Sequence, residues 1–436
     1  MIQKETLEMV VNDQRKELAL ARDEVPRQLA GAISDLRVNR AVIVKGVRRC
    51  GKSTLLRQVV RKKFGEDFYY LNFDDDRLLG FEAADFQGLM EAFAAVSGKS
   101  ENLLLDEIQN VAGWELFVNR MLRQGFRVFI TGSNANLLSR ELGTHLTGRH
   151  ADFELYPFSF SEWLSLKKIR VPTTLSTDDV VALSGAFGKY LHSGGFPEVA
   201  TSGDPSLLGP VLDDIIQKDV IRRYSIRKPL ELRNVVTFLL WNAANRMTFK
   251  AMASNFRIKS ANTVQKYFEY CQETGLLFAV NKYDPKIKQY EKNPKKIYCA
   301  DNGLITRNRP GTQSQQGQLL ENLVAVELKR RGATVHYYQN RDGSETDFVL
   351  VDGLKKRITQ ALQVSTDISD FETRQREEKA LFSTLEETGL KEGMILTANH
   401  EETRKSLGKT VTYAPVWKWM LGFSGSRNAK NAANQR

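Results

Sequence analysis

Over the first third of the chain, short apolar runs alternate with longer stretches whose apolar positions recur every three or four residues. The runs are Ala41-Val42-Ile43-Val44, Phe68 to Phe73, Leu103-Leu104-Leu105 and Arg127 to Thr131. Runs this short and apolar fit strands buried on both faces, and the periodic stretches between them fit helices. Leu18 to Arg37 reads as a helix leading into the first strand. Such alternation predicts an α/β fold with a parallel, doubly wound sheet. From Phe158 to Arg227 the pattern is helical, interrupted at His192 to Pro197. Residues 247–280 then read helix, turn, helix, strand. Phe249, Met252 and Phe256 share a face, Ser260 to Thr263 can cap the next helix, and Val264, Tyr267, Phe268 and Cys271 line that helix. A helix over 319–331, strands over 334–338, 346–351 and 360–365, and a charged helix over 371–388 follow. The tail after Leu421 is rich in Gly, Ser and Asn and is basic, a composition that favours disorder. These shifts divide the chain at 1–155, 156–228, 229–310, 311–421 and 422–436.

The first chemistry lies between the first strand and its helix. Gly46 to Thr54 reads Gly-Val-Arg-Arg-Cys-Gly-Lys-Ser-Thr, strand before and helix after, the setting of a phosphate-binding loop. Glycine at both ends tolerates the dihedrals that let successive N–H groups wrap an oxyanion. Gly46, Arg48, Arg49, Cys50, Gly51, Lys52, Ser53 and Thr54 are the candidate nucleotide contacts. Lys52 would reach the β- and γ-phosphates and Ser53 would hold Mg²⁺, with the helix dipole aimed at the phosphates. Leu103 to Glu107 is an apolar strand ending in two acids. Asp106 is the candidate second Mg²⁺ contact, and Glu107 the candidate base for an attacking water. Arg127 to Thr131 ends in Gly132-Ser133-Asn134, where Asn134 is placed to sense the γ-phosphate or position water. ATP and Mg²⁺ are the expected substrate and cofactor. Asn281-Lys282-Tyr283-Asp284 matches a guanine-reading motif but lies far from this loop in sequence, so ATP is preferred to GTP.

Composition narrows the rest. The 436 residues are 42% hydrophobic and 26% charged, with three isolated cysteines that lack metal-binding spacing. No apolar run approaches a membrane span and the first 22 residues lack a signal-peptide core, so the cytoplasm is expected and a membrane partner is not. The net charge is +11, and between Arg246 and Lys296 eleven lysines and arginines face only four acids. A basic field concentrated in that way predicts a polyanion partner, here double-stranded DNA through 246–296.

With these residues in hand, the chain resembles a family of bacterial and archaeal AAA+-like P-loop ATPases. In that family the ATPase precedes a helical lid, a winged helix and a small α/β fold similar to PD-(D/E)XK nucleases. The markers are Gly46 to Thr54, Tyr70 to Asp75, Leu104 to Gln109 and Thr131 to Asn134. They continue with Leu146 to Arg149, Leu155 to Phe160, Gly194 to Glu198 and Lys296 to Gly303. The resemblance implies that Arg149 is an arginine finger or sensor, since guanidinium neutralises charge developing in phosphoryl transfer. It implies that the helix over 263–274 would enter a DNA major groove, with Gln265, Lys266, Glu269 and Tyr270 outward, unless the module is a lid or protein contact. For the nuclease-like end it implies a second metal site at Glu321, Asp347 and Gln363. Here Gln363 stands where a second acid is usual and Ser365 where a lysine is usual, and Lys379 is a possible substitute. A degenerate platform is therefore expected rather than a working nuclease. The expected function is a Mg²⁺-dependent ATPase coupling nucleotide state to a DNA-associated module. A regulatory switch that binds protein partners and an ATP-controlled DNA nuclease are the alternatives, and in each case an oligomer stays open.

Overall fold

Apolar run by apolar run, the expected strands form one sheet. They are β1 (Ala41–Lys45), β2 (Tyr69–Asn72), β3 (Asn102–Asp106) and β4 (Arg127–Gly132), joined by β5 (His150–Glu154). The order is β2-β3-β4-β1-β5, and every pairing is parallel. β1 and β3 are buried throughout, as strands covered by helices on both faces must be. β5 carries no apolar run because it is an edge strand, half-exposed along its length. In this computed structural model the described residues are 2–20, 24–34, 40–133, 149–284, 293–308, 316–366, 368–406 and 408–423. Two units result. The first comprises Met1–Pro157 with Gln217–Val220 and Glu273–Gly275, the second Phe158–Ile216, Ile221–Gln272 and Leu276–Arg436.

The N-terminal helix differs from expectation. It spans Lys4–Ala19, and a separate short helix spans Gln28–Ser34. Pro26 stands between them, where its missing N–H and its ring bar a continuous helix. Leu7, Val10, Val11 and Leu18 recur at helical spacing and are buried, so a segment that reads as polar has an apolar stripe. Leu7, Val10 and Val11 join Leu71, Phe93, Leu105 and Ile130 in the core.

In the second unit the helical stretch expected over 158–227 begins with Phe160–Leu166, Thr177–Ser193, Pro197–Ser202 and Leu208–Asp214. Helices Pro229–Trp241, Phe249–Asn255 and Ala261–Glu273 follow, with β6 (Arg246–Met247), β7 (Leu277–Lys282) and β8 (Lys295–Cys299). Beyond them come β9 (Val335–Gln339), β10 (Glu345–Asp352), β11 (Arg357–Ser365), β12 (Glu392–Thr397), β13 (Glu402–Ser406) and β14 (Lys409–Pro415). All nine form one sheet in the order β13-β14-β12-β11-β10-β9-β7-β8-β6. The stretches read as separate modules, 229–310 and 311–421, are therefore continuous: β7 pairs in parallel with β9, Asn281 opposite His336.

Two of the glycine-rich markers are packing devices. A Cβ on Gly195 would lie 2.3 Å from the Phe158 carbonyl oxygen, and the Gly195 carbonyl accepts from Phe158 N at 2.7 Å. Asp301, buried, accepts from Gly195 N at 2.6 Å and from Gly303 N at 2.8 Å. Burial pushes its carboxyl up to about 7, against the lowering effect of those N–H groups. Gly188, in the helix Thr177–Ser193, has nothing within 4 Å of a built Cβ. Gly195→Ala should therefore cost about 3 kcal/mol in denaturant unfolding. Gly188→Ala should be neutral or stabilising by up to about 1 kcal/mol. Equal stability of the two variants would show that the close approach at Gly195 constrains nothing.

Candidate functional site

The phosphate-binding loop is built as its sequence requires. Gly46 has no room for a side chain, since a Cβ would meet the Leu155 carbonyl oxygen at 2.3 Å. Gly51 at φ +99° turns the chain into the helix Lys52–Lys63, and Arg49 is held at φ +64°. Arg27, buried, ties the loop down: its guanidinium donates to Cys50 O at 2.7 Å and Tyr156 O at 2.6 Å. The Cys50 thiol is buried, and burial pushes its pKa up, which makes it a packed side chain rather than a nucleophile. Arg49 is exposed and Thr54 half-buried, the latter lining a cavity of about 470 Å³ with Ser53, Tyr70, Asn72, Asp74 and Asp75.

Strand ends bring the acids to the loop. Asp106, wholly buried, accepts from Ser53 Oγ at 2.5 Å, from Tyr70 OH at 3.3 Å and from Thr131 Oγ1. Lys52 Nζ lies 3.3 Å from Glu107 Oε1 and donates to the carbonyls of Gly46 at 3.1 Å and Val47 at 3.4 Å. Glu107 sits at φ +53°, a left-handed conformation uncommon for a non-glycine residue. Its Oε2 accepts from Gln109 Nε2 and from Ser133 N at 3.3 Å. Burial alone would push both carboxyls up. Asp106 does rise, helped by its neighbour Glu107, whereas the Lys52 ammonium, Gln109 and Arg48 hold Glu107 below the ordinary range. Lys52 is raised: burial, the largest single effect, would lower it, but Glu107 with Cys50, Asp106 and Asp219 together outweigh it.

Arg48 is engaged as well. Its Nε and second terminal nitrogen reach the two oxygens of Asp219 at 3.0 and 3.2 Å, and its other terminal nitrogen lies 3.4 Å from Asp74. Ser133 Oγ donates to Asp219 at 3.3 Å. Asp219 and Arg27 carry no signal in the sequence, and Tyr70, Thr131 and Gln109 stand there only within family markers, with no role assigned; the fold brings all five to the loop.

Asn134 lies outside the described residues. Arg149 is exposed and precedes β5, whose first residue pairs with Ala41 at the start of β1, while the loop follows the end of β1. Four residues of strand, about 13 Å, separate Arg149 from the loop's end of the sheet. That arrangement places it away from its own phosphate loop.

In the C-terminal part, expected to be nuclease-like, Glu321 in the helix Gln316–Arg330 and Asp347 in β10 do come together, but around a lysine that was not expected there. Lys296 of β8, buried, places its Nζ 2.9 Å from Glu321, 2.8 Å from Glu345 and 2.8 Å from Asp347. Tyr298 OH donates to Glu321 at 2.7 Å. Gln363 accepts from Asp347 N at 3.2 Å and donates to Glu377. Lys379, the expected substitute, instead points its exposed ammonium at Asp342, 3.9 Å away. Among the described residues no group of three His, Cys, Asp or Glu is arranged to hold a metal ion. The basic stretch is also smaller than its count. Lys296 is neutralised in this cluster and Arg246 pairs with Glu345 at 3.1 Å. Lys286, Lys288 and Lys292 lie outside the described residues. Lys250, Arg257, Lys259 and Lys266 are exposed.

A parallel sheet with a phosphate loop after β1, and a buried Asp-Glu pair ending β3 beside it, defines a P-loop ATPase of the AAA type. Comparisons agree: residues 38–164 match a family described as an AAA domain, and 184–313 and 316–419 match the domains of unknown function DUF8612 and DUF4143. The chain belongs to the family of an uncharacterised protein of Methanocaldococcus jannaschii, with 32% identity over 400 residues, 88% of this chain and 89% of that one. An uncharacterised protein of Haemophilus influenzae is 34% identical over 322 residues, 70% of this chain and 78% of its own. Among solved structures, Cdc6p of Pyrobaculum aerophilum is 13% identical over 69% of this chain and 98% of its own, at a TM-score of 0.26, a level that says nothing of role. No helix among the described residues is long and apolar enough to cross a membrane.

One pH dependence follows from the second cluster. Burial and Asp347 push Glu321 up to about 7, outweighing Lys296. A raised carboxyl stabilises the fold fully below its ordinary pKa and loses that contribution as pH climbs to 7. Between pH 5 and 7.5 the wild type should lose about 1–3 kcal/mol more than Glu321→Gln, which keeps the acceptor without the proton. Parallel stability profiles for the two proteins would remove the assignment.

Proposed function

We propose that this ATPase is Mg²⁺-dependent, with Glu107 as general base and Lys52 as the charge that governs it. The observation carrying this is the Lys52–Glu107 ion pair at the mouth of the phosphate loop. Ser53 and Asp106 suit Mg²⁺, being a hydroxyl and a buried carboxylate 2.5 Å apart, two hard oxygen donors. When bound, the ion supplies charge neutralisation for the triphosphate. A triphosphate entering the loop competes with Glu107 for Lys52, because phosphate oxygens carry more charge than one carboxylate. Once Lys52 turns to the phosphates, Glu107 loses the cation that depresses its basicity. It then takes a proton from the water whose oxygen attacks the γ-phosphorus, as the bond to the β,γ-bridging oxygen breaks and ADP leaves. Ser133 N and Gln109 aim the carboxylate meanwhile. Arg149, placed away from this loop, is proposed to act on the site of a neighbouring copy.

Lys52→Ala should lose nucleotide affinity in an equilibrium titration. Glu107→Gln should still bind ATP and hydrolyse it about 10²–10⁴-fold more slowly. Hydrolysis by Glu107→Gln at the wild-type rate would remove the base from the mechanism.

For the second unit we propose a winged-helix contact to double-stranded DNA through the exposed side of Ala261–Glu273, with the PD-(D/E)XK-like part as a platform. Support for the first comes from Gln265, Lys266 and Glu269, all exposed, and from the nearby exposed Lys250, Arg257 and Lys259. Support for the second is that Lys296 already answers the charges of Glu321 and Asp347. Replacing Lys250, Lys259 and Lys266 together by Ala should flatten the slope of log affinity against log salt by two to three units, about 0.9 per phosphate contact. Failure to bind duplex DNA at low salt would favour a switch that binds protein partners, and DNA cleavage lost in Asp347→Ala would favour a nuclease.

A further inference from the structure

Beside the catalytic pair, the loop's own arginine is held by an acid that the mechanism does not use. Arg48 lies between the two glycines that shape the loop, so its side chain starts where the phosphates are cradled. Asp219 grips it with both oxygens and is 1% exposed. The same carboxylate accepts from Ser133 Oγ, and Ser133 N in turn donates to Glu107. Residues 217–220 belong to the ATPase unit, although Ile216 before them and Ile221 after them belong to the second unit. They sit in a π-helical stretch, Ile215–Arg222. Such stretches are rare and recur at functional sites. Gly275, in the other short segment of the unit, comes as close: at φ +72° its Cβ position is 3.2 Å from Val47 N.

We propose that Asp219 is a positioning residue whose pair with Arg48 is a latch displaced by phosphate, so that nucleotide binding releases residues 217–220. The inference rests on the ATPase reading. A phosphate group offers a guanidinium the same forked geometry as a carboxylate with greater charge, so the triphosphate outcompetes Asp219 for Arg48. A buried carboxylate stripped of its cation and left beside a polyphosphate is strongly disfavoured, so Asp219 withdraws with its segment. Coupling of this kind is reciprocal: whatever nucleotide does to the latch, the latch does to nucleotide affinity. Asp219 therefore holds affinity down until the segment lets go.

The test uses the full chain, a non-hydrolysable ATP analogue with Mg²⁺, and Asp219→Asn beside Asp219→Glu. Wild-type hydrogen exchange over 215–222 should accelerate when the analogue binds. In Asp219→Asn, exchange there should be fast already and indifferent to the analogue, and affinity should tighten about fivefold or more, within the usual range of couplings. Asp219→Glu should restore the nucleotide dependence. If wild type binds the analogue while exchange over 215–222 stays unchanged, or if Asp219→Asn binds no more tightly than wild type, the latch is overturned and the ATPase reading stands. If wild type binds no nucleotide, both fall.

Discussion

A single buried ammonium organises the phosphate site. Lys52 lies beside Glu107 and under the carbonyls of Gly46 and Val47, in a place where an unpaired charge would be costly. That requirement accounts for the polar residues around it. Asp106 and Glu107 are adjacent acids at the buried end of β3, and two carboxylates so close cannot both be charged without compensation. Thr131, Tyr70 and Ser53 donate to Asp106, while Lys52, Gln109 and Ser133 serve Glu107. The parallel sheet exists to deliver these groups to one edge, since β1, β3 and β4 all end there.

The second unit meets the same electrostatic demand with a different outcome. Glu321, Glu345 and Asp347 converge on Lys296, which comes from β8, and Tyr298 from the same strand adds a hydroxyl. The lysine ties the hairpin β7–β8 to the helix and strand that carry the acids, alongside the parallel pairing of β7 with β9. A cluster closed in this way has a structural reason to persist whether or not chemistry occurs there.

Much of this was legible because it is local. The loop from Gly46 to Thr54, the Asp106-Glu107 pair and the buried faces of residues 249–271 are short-range patterns whose spacing carries their meaning. Edge strand β5 was not legible, because it pairs on one side only and needs no apolar run. Nor was the helix Lys4–Ala19, whose stripe of Leu7, Val10, Val11 and Leu18 is thin among charged residues. Arg48–Asp219 and Lys296–Asp347 were hidden for another reason. Their partners are 171 and 51 residues apart, and one charged residue in a helix or a basic run looks like any other until the chain folds. The expectation of Lys379 as a substitute lysine shows the error: it lies on the helix that follows in sequence and pairs with Asp342, whereas Lys296 of β8 is the lysine that meets Glu321 and Asp347.

The central claim is that nucleotide takes Lys52 from Glu107 and so raises the basicity of that carboxylate. Titration of the Glu107 carboxyl by carbon-13 NMR, in the free protein and with a non-hydrolysable ATP analogue and Mg²⁺, measures this directly. The free protein should show Glu107 below the ordinary carboxylate range, held there by Lys52, and the complex should show it moved upward. A Glu107 pKa that stays in place or falls when the analogue binds would contradict the account.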